Sequence, residues 1–265
     1  KAWLGIGLTA AAIVAAVLAP WLAPHDPMKA DFVQSLKPPG APGHLLGTDQ
    51  LGRDLLARVL YGARLALFIG VCTVLLTALF GGLLGLVAGF VERWPSAVLM
   101  RIADVQLSFP FILLAMTINA IVGLGLQNII LSLSAAGWVV YARVVRGEVL
   151  SVKQRDYVQA AAALGMSRSR LLFRHVLPNV APSIIVVASL QFSSFIVAEA
   201  AISFLGFGIQ PPTPAWGSML SESRDFLYVA WWLAAFPGAA LALTALGVNL
   251  LGDWLRDTLD PKLRV

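Results

Sequence analysis

Hydrophobic positions in this chain do not alternate with polar ones; they form long charge-free blocks separated by short charged segments. A helix rises about 1.5 Å per residue and must cross about 30 Å of hydrocarbon, so about 20 uncharged residues make a span. Ala2 to Pro24 meets that length, and Leu65 to Val91 meets it again. Val105 to Ala142 is long enough for two crossings, and its middle, Asn119 to Asn128, carries Gly123, Gly125 and Gln127. Such a stretch suits a tight turn back into the membrane. His175 to Ala198 and Phe226 to Gly252 supply the last two spans. The pattern predicts an all-α integral membrane protein with six transmembrane helices.

Composition sharpens this. Charged residues make up 12% of the 265 positions and hydrophobic ones 58%, whereas a soluble domain carries about 25% charged residues and shows them to water. Most of the surface must therefore face lipid or protein. The net charge of +5 would suggest nucleic acid in a soluble protein. Here topology accounts for it, and no nucleic-acid partner is expected. Positively charged loops stay in the cytoplasm. With the N-terminus inside, thirteen Lys and Arg fall on inner segments, including Arg93, Lys262 and Arg264, against six on outer ones. Both termini are thus expected to be cytoplasmic. Lys1 and the apolar run after it also fit a cleaved signal peptide, but the run's length and Pro20 and Pro24 favour a retained helix. The chain begins without Met, so a short preceding tail is expected.

Three regions follow: a first helix (residues 1–24), an outer loop (25–64) and a core of five helices (65–265) that contains an inner loop at 143–177. In the outer loop, Thr48 or Asp49 is placed to cap a surface helix with Leu51, Leu55 and Val59 on its apolar face and Asp54 paired to Arg58. Asp104 is expected to pair with Arg101. Cys72, the single cysteine, reads as packing, and one thiol allows neither an internal disulfide nor a thiolate metal cage. His25, His44 and His175 lie far apart in sequence, so no metal site is expected. No phosphate loop, His-Glu-x-x-His or Gly-x-Ser-x-Gly occurs. The chain is therefore expected to bind no cofactor and to be no enzyme.

In the inner loop, Val152 to Leu164 is a good helix former, with Tyr157, Ala160, Ala161 and Leu164 on one stripe. Gly165 suits the left-handed residue that ends a helix, Ser167 can cap the next turn, and Pro178 fits the start of the fifth span. Physically, this is an amphipathic helix resting on the bilayer.

The same residues resemble a known motif. Gln159-Ala160-Ala161, Gly165 and Leu177-Pro178 are similar to the coupling motif of bacterial ABC importer permeases. Other matching stretches lie along the chain: Gly47-Thr48-Asp49, Gly52-Arg53-Asp54, Ser108-Phe109-Pro110 in the third span, and Ser203 to Gly208 with Pro211-Pro212-Thr213-Pro214. In this order the chain resembles the second permease subunit of dipeptide, oligopeptide and nickel importers. The resemblance implies the type I ABC importer permease fold in the bacterial plasma membrane, importing short peptides or other small ligands. It also implies a second homologous permease, two ABC ATPase subunits that hold ATP and Mg, and an external substrate-binding protein. The inner-loop helix would dock on an ATPase through Tyr157, Gln159, Ala160, Ala161, Leu164 and Gly165. Gln159 stands where the motif usually has Glu, so a charge-assisted contact to the ATPase there would be lost or replaced by a neutral hydrogen bond.

Glu199 lies within the fifth span, where ionisable groups are costly and usually functional. It either faces the pathway or the partner permease, or is a structural carboxyl bonded to a neighbouring helix. Residues 206–217 cannot form a spanning helix, and such backbone survives near membrane depth only against protein or water. Phe204, Phe207, Gln210 and Trp216 are accordingly candidates for the pathway or outer gate, the alternative being an interfacial loop anchored by Trp216. A competing function, ion-coupled secondary transport, predicts internal repeats and several buried carboxylates; one good carboxylate and no repeat are visible.

Overall fold

The computed structural model describes residues 1–91 and 94–259. Arg93, Lys262 and Arg264, counted above as inner charges, lie outside the described residues. The helices are α1 (Ala2–Leu22), α2 (Leu55–Phe90), α3 (Trp94–Leu107), α4 (Phe111–Val122), α5 (Leu126–Lys153) and α6 (Asp156–Ala163), followed by α7 (Arg168–Leu171), α8 (Leu177–Phe204), α9 (Trp216–Glu222) and α10 (Trp232–Leu259). Among the described residues, five helical stretches are long and apolar enough to cross a membrane, and six if α3 and α4 together make one broken span.

That broken span differs from the straight third helix expected from sequence. α3 and α4 meet at 93°, because Pro110 occupies the cap of α4 and a proline ring disfavours helical backbone in the residue before it. Ser108-Phe109-Pro110 is thus the corner, not part of a span. The expected turn at Gly123 to Gly125 is present, and both glycines adopt positive φ.

A second difference lies at the start of α2. The surface helix expected around Leu51 does not form separately; nothing after Asp54 breaks the helix, so α2 runs 36 residues without interruption, about 54 Å. Its first turns stand beyond the length needed to cross the hydrocarbon. Asp54, rather than Thr48 or Asp49, caps it, accepting a 2.8 Å hydrogen bond from the Ala57 N–H. Likewise α5 runs on to Lys153, past the expected end at Ala142. The helix expected over 152–164 begins only at Asp156, because Arg155 takes an extended backbone and an acidic residue suits a first turn.

α2 and α5 form the centre of the bundle, with α8 against both and α1 and α10 packed together on one side. Small residues set the α2–α5 spacing. A Cβ on Gly81, Gly85 or Gly89 would fall 2.3 Å from the Trp138 carbonyl oxygen, 2.6 Å from that of Ala142, or 2.6 Å from the Val149 Cβ. This i, i+4 stripe lets backbones approach where lipid offers no hydrophobic drive to hold them. Gly82, one residue along, leaves 4.0 Å to its nearest neighbour, the Ile184 Cδ1. Gly85→Ala is therefore expected to destabilise the bundle by about 1–3 kcal/mol through overpacking, while Gly82→Ala is neutral. Thermal unfolding of the two variants in detergent checks the contrast.

Candidate functional site

The short helix α6 sits at the end of the bundle where α2 finishes and α5 leaves its span. Val158 is buried, and with half-buried Ala161 and Met166 it packs into a cluster formed by Leu86, Val145, Val149, Val152, Leu171 and Val176. The opposite face is bare: Gln159 and Ala160 are exposed, Tyr157 is 44% exposed and Leu164 is 89% exposed. Three members of the sequence-derived stripe thus point away from the bundle, and Ala161 sits at its buried edge.

The end of α6 is closed by its own backbone. Gly165, at φ +84, donates its N–H to the Ala162 carbonyl at 3.0 Å, and Met166 donates to the Ala161 carbonyl at 3.2 Å. These two bonds make a full Schellman closure, with Met166 and Ala161 supplying its apolar contact. Ser167 follows at the boundary of α7, but its side chain makes no capping bond. Leu172–Val176 is then wound as a π-helix immediately before Pro178 in the first turn of α8. The proline lacks an N–H and crowds the preceding turn, a standard cause of such widening. The Tyr157 and His175 rings lie 6.1 Å apart, and Arg155 donates to the Asn179 Oδ1 at 3.2 Å. Both links hold the N-terminal end of this outward-facing helix to the segment that enters α8, while its C-terminal end is closed by its own backbone. Gln159 bonds locally, to the Gln154 carbonyl at 3.1 Å, leaving its outer face available.

The proposed gate residues divide. Glu199 is fully enclosed in α8 and accepts a 2.7 Å hydrogen bond from the Ser203 hydroxyl of its own helix, not from a neighbouring one. That hydroxyl oxygen also accepts the Ile209 N–H at 3.0 Å, so Glu199 stabilises the turn after α8. Trp216 is buried against Gly62, with its indole N–H donating to the Val59 carbonyl at 3.0 Å; it packs in the core and anchors no interface. Phe204 lies under the Arg224 guanidinium, 3.7 Å from ring centre to Cζ. Phe207 is partly exposed, and Asn119 donates to its carbonyl. Gln210 is exposed and folds back on the Gly206 and Gly208 carbonyls at 3.0 and 3.2 Å. Ser203→Ala, which leaves the carboxyl and the Ile209 N–H unpartnered, is expected to cost about 1–3 kcal/mol, measurable by thermal unfolding.

Other polar groups were not legible as site residues. A cleft of about 280 Å3 opens between α3, α4, α5 and α8, with Gln106, Gln191 and Ser194 among otherwise apolar walls. The Gln106 amide donates to the Ala135 and Ala136 carbonyls, and its oxygen accepts from the Trp138 indole at 2.9 Å. Isolated polar residues in apolar runs were the available signal.

At the far end, the glycine-rich motifs of the outer loop form a buried charge cluster. Arg53 pairs with Asp49 at 2.6 Å and with Glu222 at 2.8 Å, while Arg58 reaches Asp49 at 3.5 Å and Glu222 at 3.3 Å. Arg58 is thus held by Asp49 and Glu222 rather than by Asp54. Asp104 is likewise corrected: it pairs with Arg143 instead of Arg101. The Thr48 carbonyl accepts from the Trp232 indole at 3.2 Å, which ties the loop to α10. His25 and His44, remote in sequence, stack at 4.8 Å between ring centres.

Comparison with known proteins shows the family. Residues 81–265 match the family described as binding-protein-dependent transport system inner membrane component. Residues 1–39 match the N-terminal transmembrane domain of oligopeptide transport permease C. The chain is 46% identical over 259 residues to the di/tripeptide transport system permease protein DppC of Pseudomonas aeruginosa, covering 95% of this chain and 85% of that one. It is 42% identical to the dipeptide transport system permease protein DppC of Alkalihalophilus pseudofirmus, covering 98% and 86%. It is also 42% identical to the glutathione transport system permease protein GsiD of Pectobacterium atrosepticum, covering 95% and 84%.

Proposed function

The chain belongs to the family of binding-protein-dependent transport system inner membrane components, and from that membership we propose that it imports short peptides using ATP hydrolysed by partner subunits. It is a membrane-spanning permease subunit of an ABC importer, with the type I fold of that family, and ion-coupled secondary transport is set aside. The names of these relatives, which refer to transport of di- or tripeptides or glutathione, support the substrate class.

The observation that carries the proposed mechanism is α6: an exposed face on a helix with a fixed end, fastened to α5 and α8. In this reading the face docks on an ABC ATPase through Tyr157, Gln159, Ala160 and Leu164, with Ala161 and Gly165 shaping it and Pro178 transmitting its motion to α8. Closure of two ATPases on ATP and Mg would move α5 and α8 between two discrete positions, as coupling requires. The positively charged α6 end is cytoplasmic in this reading, which supports both termini being inside, and the outer loop faces the substrate-binding protein. The cleft with Gln106, Gln191 and Ser194 faces the pathway shared with a second permease. This chain itself binds no ATP and catalyses no reaction.

Affinity purification of the tagged subunit from native membranes tests the assembly. Recovery of a second permease and two P-loop ATPases is expected, with a binding protein under mild detergent. A subunit that purifies alone under all mild conditions would contradict it.

A further inference from the structure

Three donor groups from separate parts of the sequence converge where α1 exits toward α2. The His44 Nδ1 lies 2.8 Å from the Asp54 Oδ2, and the His25 Nδ1 lies 3.5 Å from the same oxygen. The candidate ligand atoms of all three residues lie within 4.8 Å of one another. Asp54 is fully buried, the His44 side chain is 11% exposed and that of His25 is 45% exposed. One side of the cluster is therefore open to water while the other two ligands are held.

Neither capping nor packing explains all of this. The Asp54 Oδ1 already caps α2 through the Ala57 N–H, so Oδ2 is the oxygen left to serve the histidines. His44 is fixed by backbone bonds on either side, from its own N–H to the Ala41 carbonyl and from the Gly47 N–H to its carbonyl. His25 points at the same oxygen from too far for a hydrogen bond. Two ligands on a tetrahedral ion with bonds of about 2.0–2.1 Å stand about 3.4 Å apart, close to the 3.5 Å between His25 and Asp54, while the 2.8 Å between His44 and Asp54 is a hydrogen-bond distance that opens when an ion enters.

We propose that His25, His44 and Asp54 form a binding site for a divalent ion of the zinc class, completed by water, that fastens the exit of α1 to the entry of α2. Two imidazoles and one carboxylate favour such an ion over magnesium or calcium, which take oxygen ligands. The ion replaces the proton between His44 and Asp54, and that imidazole carries its proton on Nε2 instead. The cap bond from Ala57 orients the carboxylate, as outer-shell partners of metal ligands do. The site lies at the opposite end of α2 from α6, so it is separate from the coupling element.

This chain holds three histidines and one cysteine in all, and the difference between parent and His25→Ala complexes separates this site from zinc bound to partner subunits. The tag-free subunit, purified in its assembled transporter and stripped with chelator, is titrated with zinc and then with cobalt. The expected result is one more tightly bound zinc per complex than in the His25→Ala complex, whose affinity at this site falls at least about tenfold. His175→Ala binds as the parent does. Cobalt gives the intense visible bands of a tetrahedral site, and His25→Cys adds a thiolate charge-transfer band. Equal zinc content in parent and His25→Ala, or unchanged cobalt spectra in His25→Cys, would overturn the proposal even if His44→Ala fails to fold.

Discussion

A Gly165→Leu variant is expected to reach the membrane, assemble and melt as the parent does, yet to lose most ATP-driven uptake. Gly165 sits at φ +84, and a Cβ added there would meet nothing within 4 Å, so a side chain encounters no steric obstacle. The cost is conformational: about 1–2 kcal/mol for an L-residue in the left-handed region. The bonds that close α6, from Gly165 to Ala162 and from Met166 to Ala161, both depend on that conformation. A shift of this size changes the ratio of ordered to disordered helix end by about 5–30-fold. Because the loop is exposed, the bundle is spared and the loss appears in coupling. Asn tolerates the left-handed region best among the other residues, so Gly165→Asn should restore part of the uptake. Peptide uptake and ATP hydrolysis measured together on the reconstituted transporter check this: hydrolysis uncoupled from uptake is the expected signature.

Removing Asp49 should have the largest effect on stability. Its carboxylate accepts from the Leu51 and Arg53 N–H groups at 2.9 Å each and faces two guanidinium groups that are 2% and 1% exposed. Asp49→Ala leaves Glu222 alone to balance both arginines. Breaking a buried pair in this way costs about 3–5 kcal/mol, because the remaining charge stays desolvated. The double variant Asp49→Leu with Arg58→Met removes charge from both sides and should recover part of that loss. Thermal unfolding in detergent compares them, with Asp26→Ala, an exposed position whose carboxylate accepts from the nearby Met28 N–H, as the control expected to change little.

Much of this was legible because membrane spans announce themselves by length alone. α1, α5, α8 and α10 lie where charge-free blocks predict helices, although α5 runs past its apolar block with Arg143, Arg146 and Lys153 on its last turns. The glycine at 165 and the proline at 178 are local signals, readable because a helix end and a helix start are made by neighbouring residues. What sequence did not show depends on contacts between distant positions. Glu222 joins Arg53 across 169 residues, and His25 meets His44 only because the loop folds back. The 93° corner at Ser108 to Pro110 was hidden inside one long apolar run, where proline inside a span and proline at a break look alike. Trp216 was misplaced for the related reason that an aromatic residue after a span fits an interface as well as it fits a core.

The central claim, that this subunit moves peptide only when an ATPase drives it through α6, is tested most directly in proteoliposomes. Uptake of a labelled dipeptide is measured with the purified complex, with the subunit alone, and with the complex carrying Gly165→Leu. The account predicts uptake by the parent complex with ATP, none by the subunit alone under a proton gradient, and strongly reduced uptake by the variant despite continuing hydrolysis. Peptide uptake by the isolated subunit without ATP would contradict it.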